Sequence, residues 1–268
     1  MVIRCRDCRN DIKDEYQNCK LITIGSSSYI HKICGKDLIK KKFFNKNNDL
    51  TIKETLYELD KPYLLKIDYQ DDNIIIYQHI DGSTLYQYFN INISIDEYDK
   101  FIIFTKIFKI LLDLEKSGFN HLDISSNNIM ICNRGRVFLI DYEDMTNDTN
   151  YYSEYLGSYG FVPPEKMEDD KLVFNKFDSY SFGILLADSI SKGYKIKIMD
   201  FKKKCVCLNK CSNLQSCIDR KINLILQYIK CINIKNFYKI ILTNTIVLDH
   251  TKRKSFTELE PLVKDFIE

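Results

Sequence analysis

The chain has 268 residues, of which 45% are hydrophobic, and its formal net charge is +2. That apolar fraction is enough to bury a core, which excludes a disordered or fibrous chain. Because a near-neutral chain has no large field that attracts nucleic acid or anionic membranes, we expect no nucleic-acid partner and a partner selected by a local site.

The cysteine content and the N-terminal residues favour a cytoplasmic protein. Ten cysteines in a chain of this length fall below the density of a disulfide-stabilised scaffold. Residues 1–10 contain three arginines and no apolar core, so we expect no secretory leader. No uncharged apolar run approaches the ~20 residues that a spanning helix needs, so we also expect no membrane span.

The first third of the chain alternates short extended patterns with turns. Residues 21–25 predict a strand that ends in a serine-rich turn, and residues 36–44 resume the extended pattern, which together predict a hairpin. Residues 51–59 have helical spacing, and residues 63–67 and 73–80 predict two further strands. The region is therefore expected to form a small β-rich lobe.

A change of periodicity marks a second, mainly helical lobe. From Glu97 the apolar residues recur at spacings of three and four until Gly118, which predicts one long helix. The connector falls near Gly82, where the apolar run stops and the backbone is less restricted. We therefore divide the chain into an N-terminal extension, a β-rich lobe and a helical lobe, at residues 1–20, 21–80 and 81–268.

Polar residues suited to phosphoryl transfer surround one predicted hairpin. Asp123 and Asn128 precede a strand at residues 129–131, a turn at residues 133–135 and a second strand that leads into Asp141. Phosphoryl transfer needs one carboxylate that orients the attacking hydroxyl and accepts its proton. It also needs oxygen ligands, such as an Asn and a second Asp, that hold magnesium on the phosphates. A structural His-Asp pair would not require the later Asn and Asp.

Five motifs in order resemble those of the eukaryotic-type serine/threonine protein kinase family, from about residue 21 to the C-terminus. H-R-D-x-x-x-x-N corresponds to His121, Leu122 and Asp123 through Asn128, and D-F-G corresponds to residues 141–143. The 18-residue separation of Asp123 and Asp141 is the one expected of that family. Three further segments resemble the family's A-P-E segment, D-x-W-S-x-G helix and D-P-x-x-R element, at residues 157–165, 178–183 and 249–253.

The resemblance implies a two-lobed α+β protein kinase fold, with a small β-rich N-lobe and a larger, mainly helical C-lobe. It implies ATP and Mg²⁺ as cofactors, with Mn²⁺ as a substitute, and proteins as substrates. Asp123 becomes the catalytic base, and Asn128 and Asp141 become the metal ligands. Two further implied contacts are an ion pair of Glu165 with Arg253 and a bond from Asp178 to the backbone of the catalytic loop.

In the N-lobe the resemblance implies nucleotide-binding residues in the glycine-rich loop, the lysine strand and the hinge. Lys40 ends a segment similar to V-A-I-K, which makes it the candidate phosphate-binding lysine, with Glu54 as its helix partner. Lys41 and Lys42 adjoin Lys40, and Glu58 shares the helix face of Glu54, so these assignments stay open. The remaining candidates are Ile24, Gly25 and Ser26 in the loop, and Gln78 and Ile80 in the hinge, with Tyr77 at its inner edge.

Departures from the family pattern support an alternative, a catalytically impaired pseudokinase that acts as a binding scaffold. Only Gly25 remains of the three glycines expected in the phosphate loop. Glu143 replaces the Gly of D-F-G and adds a carboxylate near the metal ligands. A small-molecule phosphotransferase shares the H-x-D logic, but residues 163–165 and 178–183 favour a protein substrate.

Three other positions bear on substrate and regulation. Leu122 stands where most members carry the Arg that receives a phosphorylated activation loop, so we predict activity without loop phosphorylation. Ser125 replaces the Lys usual in Ser/Thr kinases, while Ser158 matches their Gly-Thr position and favours Ser/Thr substrates. The sequence does not indicate an oligomeric state.

The cysteine spacing admits a zinc site but favours reduced thiols without a metal. Cys5 and Cys8 have the spacing of one ligand pair, and four more cysteines cluster later in the chain. Neither group supplies two properly spaced ligand pairs. The later cysteines are Cys205, Cys207, Cys211 and Cys217.

Overall fold

The computed structural model describes residues 16, 18–25, 28–44, 59–71, 73–91, 95–148, 156–166, 174–191 and 214–268. The chain divides into two compact units. The first unit contains residues 1–82 and 132–143, and the second contains residues 83–131 and 144–268.

An antiparallel sheet of five strands forms the body of the first unit. The strands are β1 (Cys19–Ile24), β2 (Ser28–Ile33), β3 (Leu38–Phe43), β4 (Ile67–Gln70) and β5 (Ile74–Gln78). Their order across the sheet is β1-β2-β3-β5-β4, so β3 and β5 lie inside it. The β-rich character predicted for this region is confirmed.

The register of β3 against β5 decides which side chains share a face of the sheet. Ile39 lies opposite Tyr77, and Lys41 lies opposite Ile75. Lys40 lies opposite Ile76, and since side chains alternate along a strand, it projects from the other face. That other face carries the apolar cluster of this unit, which contains Tyr16, Ile33, Ile74 and Ile76, with Leu38 and Tyr69 packed against it.

Two predicted strands differ from the observed ones. The sequence placed the second strand of the first hairpin at residues 36–44, whereas β2 forms that hairpin and pairs with both β1 and β3. Gly35, with a φ of 77°, lies in the turn between β2 and β3. The strand predicted at residues 63–67 is wrong except for its last residue, because Leu64 is buried at an isolated bridge to Leu139 instead.

The helix predicted at residues 51–59 lies outside the described residues, apart from Leu59.

Helices dominate the second unit. They are α1 (Leu85–Ile91), α2 (Glu97–Lys116), α3 (Phe174–Ser191), α4 (Leu214–Leu226), α5 (Ile232–Thr245) and α6 (Phe256–Ile267). The long helix predicted from Glu97 is confirmed as α2. Its first turn is capped by Asp96, whose side chain accepts a hydrogen bond from the Asp99 N–H at 2.7 Å. Among the helices that the structure describes, none is long and apolar enough to cross a membrane.

Aromatic side chains from three helices form the centre of the second unit. The rings of Phe108 on α2, Phe182 on α3 and Phe256 on α6 lie 5.6 to 6.2 Å apart in tilted or edge-to-face arrangements. Helix α3 also passes very close to α5, because a Cβ added to Gly183 would lie 2.1 Å from Thr245 Oγ1. Glycine is therefore required at that crossing.

The described elements also include three short strands. They are β6 (Gly82–Thr84), β7 (Ile129–Cys132) and β8 (Val137–Leu139). The two strands predicted on either side of residues 133–135 are confirmed as β7 and β8. The Gly135 N–H closes the intervening turn on the carbonyl of Cys132 at 2.8 Å, and its φ of 71° suits glycine.

Candidate active site

Asp178 holds the loop that carries the predicted catalytic base. It is a buried residue of α3, and its two carboxylate oxygens accept hydrogen bonds from the N–H groups of His121 at 2.6 Å and Leu122 at 2.8 Å. The predicted bond from Asp178 to the backbone of this loop is confirmed. Burial raises the pKa of Asp178 to about 7, while the two N–H donors act in the opposite direction.

Asp123 and Asn128 contact each other directly. The Asn128 amide nitrogen donates to Asp123 Oδ2 at 2.5 Å and to the Asp123 carbonyl oxygen at 2.9 Å. Asp123 Oδ1 is buried and has no hydrogen-bond partner among the described residues. Because a buried acceptor without a donor is costly, Oδ1 is the atom suited to receive the hydrogen of an incoming hydroxyl.

The orientation of Asn128 also bears on metal binding. Its amide nitrogen is engaged with Asp123, which leaves the amide oxygen as the atom that can serve a cation. Amide and carboxylate oxygens are the ligands that Mg²⁺ prefers, so Asn128 and Asp141 have the donor chemistry that this ion requires.

Leu122 is completely buried in an apolar cluster of the second unit. The other members are Leu156, Val162, Phe174 and Phe177. Leu156 directly precedes the segment predicted to end in A-P-E, and Val162 lies within it. A Cβ added to Gly157 in this segment would lie 3.0 Å from Phe177 Cζ and 3.3 Å from the Leu122 carbonyl oxygen. Leu122 therefore makes apolar contacts at the position where the H-R-D motif has a charged arginine.

Glu165 and Arg253 form the predicted ion pair, which is confirmed. The guanidinium group donates to both carboxylate oxygens, at 2.5 and 3.0 Å, and both side chains are buried. Arg253 also donates to the Val247 carbonyl oxygen and lies 4.7 Å from the centre of the Tyr180 ring. Both charges are thus paired within the second unit.

In the first unit, the side chain of Lys41 contacts Asp141, which makes Lys41 a second candidate for the phosphate-binding lysine beside Lys40. Lys41 Nζ donates to Asp141 Oδ1 in a very short contact and to Glu143 Oε1 at 2.6 Å. Lys40 is buried on the opposite face of β3, beside Ile76. Reading V-A-I-K over residues 38–41 puts Lys41 at the final position of the motif, one residue after Lys40.

Glu143 is a half-buried carboxylate that accepts from two side-chain donors. Besides Lys41, the Tyr77 hydroxyl donates to Glu143 Oε1 at 3.3 Å. Burial and the nearby charge of Asp141 raise the pKa of Glu143, whereas the ammonium group of Lys41 opposes the shift and favours the charged carboxylate. Burial alone would lower the pKa of Lys41, but the two carboxylates raise it above its ordinary value, so the lysine is positively charged.

The remaining predicted nucleotide-binding residues lie at the ends of β1 and β5, within two residues after those ends, or outside the described residues. Ile24 ends β1 with its side chain exposed, and Gly25 donates its N–H to the Ser28 carbonyl oxygen at 2.8 Å. A Cβ at Gly25 would make only ordinary contacts with Ser28, so packing does not require glycine there. Gln78 is exposed at the end of β5, and Ile80 is half-buried. Ser26, Glu54 and Glu58 lie outside the described residues.

Most cysteines of the conceivable zinc site also lie outside the described residues. These are Cys5, Cys8, Cys205, Cys207 and Cys211. Cys217 is described, and its side chain is buried within α4.

A comparison with protein families decides which family these motifs represent. Residues 28–261 match the family described as "Protein kinase domain". The chain belongs to the protein kinase family. Its antiparallel N-terminal sheet and helical C-terminal region confirm the predicted fold class.

Curated relatives are similar to parts of the chain. Serine/threonine-protein kinase cds1 of Schizosaccharomyces pombe is 27% identical over 124 residues, which cover 43% of this chain and 27% of that protein. The probable serine/threonine-protein kinase PknB of Lactococcus lactis is 23% identical over 202 residues, 66% of this chain and 32% of that protein. Serine/threonine-protein kinase ppk6 of Schizosaccharomyces pombe is 26% identical over 188 residues, 64% of this chain and 24% of that protein. The matches thus span about a quarter to a third of these relatives' length.

Proposed function

We propose that this chain is an ATP- and magnesium-dependent protein kinase that transfers the γ-phosphoryl group to Ser or Thr hydroxyls of proteins. The observation that carries the proposal is the state of Asp123. Asn128 holds one of its carboxylate oxygens, and the other is buried without a hydrogen-bond donor among the described residues. Membership of the protein kinase family and the names of the curated relatives support the same activity.

In this mechanism Asp123 acts on the attacking hydroxyl. Its Oδ1 accepts the hydroxyl proton while the substrate oxygen bonds to the γ-phosphorus and the bond from that phosphorus to the bridging oxygen of ADP breaks. Asn128 fixes the rotamer of Asp123 through the bond to Oδ2, so the base does not have to reorient during the reaction.

The other residues bind and neutralise the phosphates. Lys41 takes the role of the phosphate-binding lysine in place of Lys40, because Lys41 is the one that contacts Asp141. Asn128 and Asp141 are the proposed magnesium ligands, and the ion, when bound, neutralises charge on the phosphates. Ser158, at the Gly-Thr position of Ser/Thr kinases, supports Ser and Thr as acceptors. The cysteine content supports action in the cytoplasm.

The test is phosphate transfer from radiolabelled ATP to a generic basic protein, with magnesium and separately with manganese. We expect the native chain to transfer phosphate, and Asp123→Asn and Asp141→Asn to lose this activity. Circular dichroism should show the same folded fraction in all three proteins. Equal transfer by Asp123→Asn would reject Asp123 as the base.

A pseudokinase scaffold is the second candidate, and one observation favours it. Glu143 binds the ammonium group of Lys41, which a kinase uses for ATP phosphates. This function predicts ATP binding in calorimetry without transfer to any acceptor. ATP-dependent transfer that requires Asp123 would exclude it.

A further inference from the structure

We infer that Glu143 is a positioning residue for Lys41, and that it fixes the lysine for the ATP phosphates while Asp141 serves the metal. The inference rests on the proposed kinase function. It gives a role to the residue that replaces the Gly of D-F-G, which sequence comparison alone treats as a defect.

Lys41 has little freedom within the first unit. Its side chain is 6% exposed, its ammonium group bridges Asp141 and Glu143, and it lies 5.1 Å from the centre of the Phe43 ring. A buried ammonium group requires anionic partners to offset the cost of desolvation. The two carboxylates supply that compensation.

The two carboxylates differ in what else they can bind. The Asp141 side chain is 43% exposed, whereas that of Glu143 is 16% exposed. A carboxylate that ligates a divalent cation has less negative charge to offer an ammonium group, and the cation repels that group. Glu143 therefore remains as the anion that holds Lys41 when Asp141 acts as a metal ligand.

Neighbouring aromatic residues fix Glu143 in turn. The Tyr77 hydroxyl donates to the same oxygen, Oε1, that accepts from Lys41. Tyr77 packs edge-to-face on Tyr142 with ring centres 5.9 Å apart, and the Tyr142 hydroxyl donates to the Leu65 carbonyl oxygen at 2.9 Å. A glycine at position 143 would supply neither the anion nor these contacts.

The experiment is a double-mutant cycle on Lys41 and Glu143. Steady-state kinetics give kcat, the KM for ATP and the KM for the basic protein acceptor in the native chain, Lys41→Met, Glu143→Ala and the double variant. We expect Glu143→Ala to lower kcat/KM for ATP by about tenfold or more, a coupling within the usual range for residues in direct contact. The KM for the acceptor should not change.

In the Lys41→Met background, removal of Glu143 should have no further effect on kcat/KM for ATP, because the group it positions is gone. Glu143→Gln keeps an oxygen acceptor without the charge and should recover part of the loss. If a thermal melt shows that Glu143→Ala is not folded, Glu143→Gln takes its place in the cycle. Asp68→Asn removes one negative charge from an exposed position of β4 and serves as the control, with native kinetics expected.

Three results separate this inference from the proposed function. Additive losses from Lys41→Met and Glu143→Ala, or a kcat/KM that rises when Glu143 is removed, would overturn the positioning role. A native chain that binds ATP without transfer would reject the proposed function alone. In that case the same four proteins would be compared by their ATP affinity in calorimetry. A loss of affinity on Glu143→Ala that occurs only when Lys41 is present supports the inference. Equal ATP affinities of the native chain and Glu143→Ala would overturn it.

Discussion

Asp178 accepts a hydrogen bond from the N–H of Leu122, whose φ of 64° lies in the left-handed region that residues with a Cβ rarely adopt. The adjacent His121 N–H donates to the same carboxylate, so one side chain of α3 holds two consecutive peptide groups of the loop before Asp123. The conformation of Leu122 is thus maintained by a residue more than 50 positions away. Strain of this kind persists only where surrounding contacts determine it.

Replacement of Asp178 should therefore reduce both stability and activity. Asp178→Ala leaves two buried N–H groups without acceptors, which costs about 1–3 kcal/mol each in the free energy of unfolding. Urea denaturation measures the loss, and Asp178→Asn, which keeps one acceptor oxygen, should lose less. Equal stability of the native chain and Asp178→Ala would show that the carboxylate does not hold the loop.

The titration of Asp178 predicts how stability depends on pH. Its pKa is raised from an ordinary value near 3.8 to about 7 in the folded chain, chiefly by burial. The folded state therefore binds this proton more tightly than the unfolded state, and the contribution to stability is lost as pH rises through about 7. We expect the native chain to lose more free energy of unfolding than Asp178→Asn between pH 5 and pH 8. The same change in both proteins would assign the pH dependence to other groups.

The two adjacent lysines of β3 should differ in their effect on catalysis. Lys41→Met removes the group that contacts Asp141 and Glu143, so phosphate transfer should fall at least 100-fold, or about 3 kcal/mol in transition-state stabilisation. Lys40→Met removes a buried group from the other face, so phosphate transfer and ATP affinity should be retained. The opposite result would restore Lys40 as the phosphate-binding lysine.

This pair of lysines shows where sequence reasoning was sufficient and where it was not. Asp123, Asn128, Asp178 and the Glu165–Arg253 pair occupy motifs with fixed spacing, and the predicted contacts of the last three residues were found. Lys40 and Lys41 are chemically identical neighbours, and only the strand register against β5 distinguishes their faces. The two-residue period of β3 places Lys41 on one face with Ile39 and Phe43 but does not say which face serves a nucleotide.

Strand positions failed for a related physical reason. Tyr63 and Leu64 are buried but do not belong to a strand. The Tyr63 carbonyl oxygen accepts a hydrogen bond from the Leu139 N–H at 3.0 Å. The sequence does not reveal that these residues are buried by a segment more than 70 positions later. The contact of Glu143 with Lys41 was missed for the same reason, since about 100 residues separate them.

The apolar surroundings of Leu122 predict activity that is independent of activation-loop phosphorylation. Leu122 is buried with Leu156, Val162 and Phe177, so this segment is held by packing and needs no phosphate-binding arginine. Treatment with a phosphatase, followed by its removal, should leave kcat within about twofold of the untreated value, less than 0.5 kcal/mol in the barrier. Mass spectrometry must verify that no phosphate remains on the chain. A large loss of activity would show that a phosphorylated residue orders the segment despite Leu122.

Substitution of either member of the Glu165–Arg253 pair should strongly lower stability. Both side chains are almost fully buried, and the bidentate geometry satisfies both charges. Removing one partner leaves the other charge buried and uncompensated, so Glu165→Gln or Arg253→Met should each lower the free energy of unfolding by about 3–5 kcal/mol. The double variant should be less destabilised than the sum of the two, because no uncompensated charge remains. Additive losses in urea denaturation would mean that the two residues stabilise the fold through separate contacts, such as those of Arg253 with Val247 and Tyr180.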